Sequence, residues 1–192
     1  MKKVIIIGAS GSLAPYVIEA LQTQNELKLT LFLRKKARLK QSKIQNCNIV
    51  EGDVMDYDVL KNAINGQDIV YVNLAGDLEA MTKNIVKAMK ETGVKRVIAI
   101  SSIGIYETPL RTVLIPYRKL ADVFENSDLD YTIIRPSWFT SVNEIDYQIT
   151  YKGEPEKGSV ISRKSIADII SKIIENPTLY TRINICIYKP EI

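Results

Sequence analysis

The chain contains no histidine, which removes Ser–His–Asp and Cys–His catalysis and most zinc coordination from consideration. No metal site is expected. Its two cysteines, Cys47 and Cys186, stand far apart without cysteine or histidine neighbours. They read as reduced core or near-core thiols, consistent with cytosol. No apolar run approaches the length of a membrane span. The first apolar stretch is only a strand long and begins at position 3, which does not fit a signal peptide. A soluble, cytoplasmic protein is therefore expected. Internal repeats of solenoid length and low-complexity tracts are absent too.

Charge of one sign is missing over long stretches. Seven basic residues and no acidic one lie between Lys28 and Lys43. From Ile44 to Thr82 there are seven acidic residues against Lys61 alone. This placement says more than the net charge of +4. A sheet end that holds a polyanion explains the basic segment, with a nucleic-acid patch as its rival. The rival lacks interleaved aromatics and a reading helix, so no nucleic-acid partner is expected.

What is present is one domain's length of ordinary globular sequence, 192 residues with ample material for a core. It begins with Lys3-Val-Ile-Ile-Ile-Gly-Ala-Ser-Gly-Ser-Leu-Ala14. An apolar strand here runs into Gly8-x-x-Gly11-x-x-Ala14, the form of a dinucleotide-binding turn between a strand and a helix. Gly8 permits the sharp turn, and Gly11 lets backbone N–H groups approach a pyrophosphate at the helix N-terminus. Ala14 is small enough for close helix–strand packing. Gly8, Ser10, Gly11, Ser12 and Leu13 are candidates for holding that group. A merely structural turn is the alternative.

Strands are predicted at Val4–Ile7, Leu29–Leu33, Asn48–Glu51, Asp68–Asn73, Arg96–Ile100, Tyr131–Ile134, Val160–Ile161 and Asn184–Tyr188. Helices are predicted over about Ser12–Gln24, Tyr57–Ile64, Leu78–Glu91, Pro116–Asn126 and Lys164–Glu175. Near-continuous apolar strands separated by helices of this length favour right-handed crossovers. The expected architecture is a Rossmann-type, doubly wound parallel α/β sheet in three αβα layers.

The residue after the second strand bears on cofactor choice. NAD-selective sites commonly place a carboxylate there for the ribose 2′-hydroxyl. This chain has Arg34, followed by Lys35, Lys36 and Arg38. A guanidinium can take a 2′-phosphate in bidentate fashion, so NADP(H) is preferred over NAD(H). A solvated basic loop is the plainer alternative. Asp53, after the third strand, could bond the adenine with Val54 on its face, or could serve as a turn or capping residue.

Four pieces of the chain resemble the NAD(P)H-binding atypical short-chain dehydrogenase/reductases, among them the NmrA-like and biliverdin/flavin-reductase-like proteins. They are Gly8-Ala-Ser-Gly11 with its helix, Gly52-Asp53-Val54, Val97-Ile-Ala-Ile-Ser-Ser102, and Lys119 through Leu129-Asp-Tyr-Thr-Ile-Ile-Arg135-Pro136. The resemblance implies that Leu74, Ala75 and Gly76 line the cofactor, with Ser101 and Ser102 near the nicotinamide ribose and Pro136 a further lining residue. Many members of the wider superfamily use Tyr-x-x-x-Lys for proton transfer. Here Lys119 stands for the lysine, but Ile115 occupies the tyrosine position. Tyr117 is two residues from Lys119, so on a helix the two face different ways. Lys119 can still hold ribose hydroxyls, or be an exposed helix lysine. Ser101 and Lys119 are the candidates around the nicotinamide.

Two functions follow from a good cofactor site with few catalytic groups. One is NADPH-dependent reduction of a flavin, quinone or similar conjugated acceptor, where alignment matters more than a protein acid. The other is a non-catalytic NADP(H)-binding redox sensor of the NmrA-like kind. The acceptor pocket is expected from Ile103–Ile115 and Ser137–Gly158, with Trp138, Phe139, Tyr147 and Tyr151 as aromatic walls and Ser137 and Thr140 as possible orienting hydroxyls.

Overall fold

The computed structural model describes residues 1–39 and 46–190, so Lys40 and Lys43 of the basic segment lie outside the described residues. Alternating elements run along the chain. They are β1 (Lys2–Ile7), α1 (Ala14–Gln22), β2 (Leu27–Leu33), β3 (Asn48–Glu51), α2 (Tyr57–Ile64), β4 (Ile69–Val72), α3 (Leu78–Thr92) and β5 (Arg96–Ile100), then α4 (Ile115–Glu125) and β6 (Asp130–Pro136). The remainder is β7 (Trp138–Thr140), β8 (Gln148–Tyr151), β9 (Val160–Ser162), α5 (Arg163–Glu175) and β10 (Ile183–Tyr188).

Among the described residues, eight strands form the main sheet in the order β3-β2-β1-β4-β5-β6-β10-β8. All pairings are parallel except β10 with β8. Side chains that alternate along a strand face opposite sides, and here each side meets its own helices. Val4 and Ile6 pack with α1 and α5; Ile5 and Ile7 pack with α2, α3 and α4. Burial on both faces is why these strands read as unbroken apolar runs. The result is the three-layer, Rossmann-type doubly wound fold.

Helix limits follow local chemistry. Asp56 accepts a hydrogen bond from the Val59 N–H, and Asp77 one from the Ala80 N–H, capping α2 and α3. The α3 helix stops at Gly93, which has a left-handed φ of 75°. Ser162 caps α5 through the Ser165 N–H at 3.0 Å. The α1 helix starts at Ala14, two residues later than the sequence pattern suggests, because the glycine turn continues through Leu13.

The 137–158 stretch is more ordered than expected. Its β7 pairs with β9, Trp138 opposite Val160, and its β8 adds antiparallel to β10, with Thr150 opposite Cys186. Three- and four-residue strands are too short to show a period in sequence. None of the described helices is long and apolar enough to cross a membrane.

A buried polar cluster closes the sheet beside β6. Arg135, only 1 % exposed, forms an ion pair with Glu156, and its Nε donates to Asn184 Oδ1 at 2.7 Å. The Asn184 amide donates to Tyr106 Oη and to Glu125 Oε1, while Lys152 pairs with Glu125 at 2.6 Å. Glu156 also accepts the Gly104 N–H at 2.6 Å. Burial pulls the Arg135 guanidinium below its ordinary pKa, so its partner is needed. Glu156→Ala should therefore destabilise the fold by about 3 kcal/mol, or roughly 6–12 °C in Tm for a chain of this length. Thermal unfolding followed by circular dichroism checks this; Arg135→Met/Glu156→Leu should recover part of the loss.

Candidate functional site

A cleft of about 670 Å³ runs along the C-terminal edge of the parallel strands, within the usual 300–1,000 Å³ of ligand sites. It crosses the point where strand order reverses, between β1 and β4, the usual ligand position in open α/β sheets.

At its centre the β1–α1 turn presses on the end of β4. Gly8 has a φ of 89°, and a Cβ there would overlap the Asn73 carbonyl. A Cβ on Gly11 would lie 2.8 Å from Asn73 Nδ2. Only glycine lets the two segments approach this closely. Ser10, Ser12 and Leu13 have backbone N–H groups with no acceptor among the described residues. The first turn of α1 has no acidic residue and no side-chain cap. Asn73 Nδ2 is buried and unpartnered, a state costly enough to call for a ligand. These free donors at a positive helix end fit the pyrophosphate of a dinucleotide.

At one end of the cleft stand Arg34 and Arg38, with Gly52, Asp53 and Val54 across from them. Arg34 directly follows β2, and Glu51 Oε2, which accepts the Lys36 N–H at 2.7 Å, steadies the turn after it. Asp53 Oδ1 accepts the Met55 N–H at 2.9 Å, so the residue both lines the cleft and shapes its own turn. Leu74 and Ala75 line the middle. Gly76 lies beyond the cleft wall, before α3, and the Leu13 side chain is buried under the turn.

The other end is walled by Ser101, Ser102, Ile103, Arg111, Val113, Leu114, Tyr117, Pro136, Ser137, Trp138, Phe139 and Arg163. Ser101 Oγ donates to the Tyr117 carbonyl at 3.0 Å. Lys119 does not reach the cleft. Its Nζ pairs with Glu79 Oε2 at 2.5 Å, tying α4 to α3. Lys119, helped by Lys83, lowers the Glu79 carboxyl to about 2. Tyr147 is also turned away, its hydroxyl donating to Asp168 at 2.8 Å. Tyr151 lies on the outer strand β8 and does not line the cleft. Ser137 Oγ donates to the Gly158 carbonyl, and Thr140 stands outside the lining. The sequence pattern did not single out Asn73, Arg111, Tyr117 or Arg163 as cleft residues. Only Asn73 left a signal, as a polar residue ending the apolar run Ile69-Val-Tyr-Val.

A protein-family model described as NAD(P)H-binding matches residues 8–177. The chain belongs to that family. A Rossmann-fold NAD(P)-binding family protein from Shigella flexneri is 43 % identical, with a TM-score of 0.91 over 99 % of this chain and 94 % of that one. A short-chain dehydrogenase/reductase from Veillonella parvula, solved in complex with NADP, is 25 % identical, with a TM-score of 0.88 over 98 % of this chain and 95 % of that one. Cinnamoyl-CoA reductase 1 of Petunia hybrida is 28 % identical over 151 residues, 73 % of this chain. The chain spans 43 % of that relative's length.

Asn73→Ala separates a ligand role from a structural one. It should leave apo stability unchanged or raise it by about 1 kcal/mol, since a buried orphan donor is removed. The same change should weaken NADPH binding roughly tenfold, as read by fluorescence titration. Lys119→Ala should change NADPH affinity less than about twofold; a tenfold loss would return the lysine to the site. The Glu79 contribution is fully present above the ordinary carboxylate range and fades as pH falls from 4.5 to about 2. Lys119→Ala should flatten that acid limb of the stability profile.

Proposed function

We propose that the protein is an NADPH-dependent reductase that passes hydride to a flat, conjugated small molecule such as a flavin or quinone. The observation that carries this reading is the lining of the cleft. Past the glycine turn it continues into a lobe walled by Tyr117, Trp138 and Phe139, aromatic surface against which a flat ring can stack. The Petunia relative is named as a reductase and the Veillonella structure holds NADP, both of which support a nicotinamide-dependent reduction. Arg34 and Arg38 favour the phosphorylated cofactor. Cys47 and Cys186 are both reduced, which suits a cytoplasmic setting.

When bound, the nicotinamide supplies the hydride. The residues of the chain supply alignment and exclusion of water. Gly8, Gly11 and the free N–H groups of the turn hold the pyrophosphate, and Leu74 and Ala75 back the middle of the cleft. Ser101 is committed to the Tyr117 carbonyl and Lys119 to Glu79, so no Tyr–Lys pair delivers a proton. An acceptor whose reduced ring tolerates negative charge and takes its proton from water suits such a site. The same lack of a proton-donating pair favours the second reading, an NADP(H)-binding redox sensor that does not turn over.

Purified protein with NADPH and a panel of FMN, riboflavin and small quinones distinguishes the two. Steady loss of NADPH absorbance well above the protein-free rate supports the reductase. Tight NADPH binding without turnover sinks it and leaves the sensor. Arg34→Glu should weaken NADPH by about 10- to 100-fold and NADH far less; equal weakening of both would remove Arg34 from the 2′-phosphate.

A further inference from the structure

We infer that the acceptor bears an anionic arm, a phosphate or carboxylate, which Arg111 and Arg163 receive in the outer lobe of the cleft. The inference rests on the reductase reading and narrows its substrate class.

Charge is distributed unevenly along the cleft. Its one acidic lining residue among those described is Asp53, at the Arg34 end. The outer lobe has two charged lining residues, and both are arginines. They rise from opposite sides, since Arg111 precedes α4 on one face of the sheet and Arg163 opens α5 on the other.

Arg163 is held without being neutralised. Its Nη1 donates to the Thr140 carbonyl and to Ser141 Oγ, each at 3.1 Å. Its guanidinium lies 5.3 Å from the Phe139 ring centre. These neutral partners fix the fork and leave Nε and Nη2 without a partner among the described residues. Standing first in α5, the cation also meets the positive end of a helix, which disfavours its charge there. Arg111 has only a loose partner, Glu107 at 3.8 Å with both side chains more than half exposed, and is free to turn inward. In the same lining Trp138 is 72 % exposed and Val113 70 %, an uncovered apolar mouth suited to a flat ring. Apolar stacking with a two-arginine fork is the complement of a planar ring carrying an oxyanion.

FMN and riboflavin share one ring system and differ by a phosphate, so they test the inference directly. Calorimetry on NADP⁺-saturated protein should show FMN binding at least about tenfold tighter than riboflavin, an advantage that shrinks as salt rises. The double variant Arg111→Gln/Arg163→Gln should bring FMN close to the riboflavin affinity. A naphthoquinone carboxylate set against its parent quinone separates the two arms. Preference for FMN alone assigns phosphate, and preference for both charged forms assigns oxyanions generally. Equal affinity of the wild type for charged and neutral members of both pairs overturns the inference. So does an Arg163→Gln loss of NADPH affinity as large as its loss for FMN, which would give that arginine to the cofactor. Tighter FMN binding without turnover leaves the anion lobe standing and sinks the reductase; equal turnover and affinity for the two flavins do the reverse.

Discussion

A parallel sheet covered by helices on both faces makes polar side chains costly along the middle of its strands. In Val4–Ile7, Ile69–Val72 and Val97–Ile100 the alternating side chains enter one apolar core or the other. Polar function is pushed to where each strand ends, and the parallel register brings those ends together. Ile7 lies opposite both Phe32 and Val72, and Ile100 opposite Ile134. The residues just past these strands are Gly8, Arg34, Asn73 and Ser101, with Pro136 ending β6. One edge of the sheet thus collects a backbone cradle, a cation, an amide donor and a hydroxyl from distant parts of the sequence. The close approach of Gly8 to Asn73 is where this assembly is tightest.

The second organising element is ionic. Arg135 leaves β6 on the side away from Gly8, and through Glu156 it reaches the Gly104 N–H. That contact joins the segment after β5 to the segment between β8 and β9. The first of these segments supplies Ser102 and Ile103 to the cleft wall, and the second is held to the end of β6 where Ser137 Oγ donates to the Gly158 carbonyl. Buried charge of this kind adds little net stability over an apolar core, but losing one partner is costly. Its effect is to fix two otherwise independent loops relative to each other.

Much of this was legible in sequence because strong physical constraints leave strong patterns. The β1 run, the glycine turn and the strand limits of β3 and β5 follow from burial and turn chemistry alone. The family resemblance through Leu129–Pro136 agrees with the matched family. Lys119 shows where reading by motif ends. Its spacing suggested the nicotinamide, yet α4 aims it at Glu79 on α3, a partner forty residues earlier that no local pattern indicates. Tyr117, dismissed as half of a proton-transfer pair, lines the cleft because of helix rotation rather than spacing. Arg111 and Arg163 sit in loop and cap positions where cations are common. Only the convergence of two faces of the sheet puts them in one lobe, and the short strand β7 that builds part of its wall carries too few residues to show a period.

Trp138 is the chain's single tryptophan, and its position at the mouth of the cleft has an optical consequence. Its indole already faces water in the folded protein, so unfolding changes its surroundings little. Intrinsic tryptophan emission is therefore a poor monitor of global unfolding here. A ring seated against Trp138 would instead displace water from one face of the indole, shifting and quenching its emission. The native chain thus carries a spectroscopic reporter tuned to occupancy of the outer lobe rather than to the integrity of the fold.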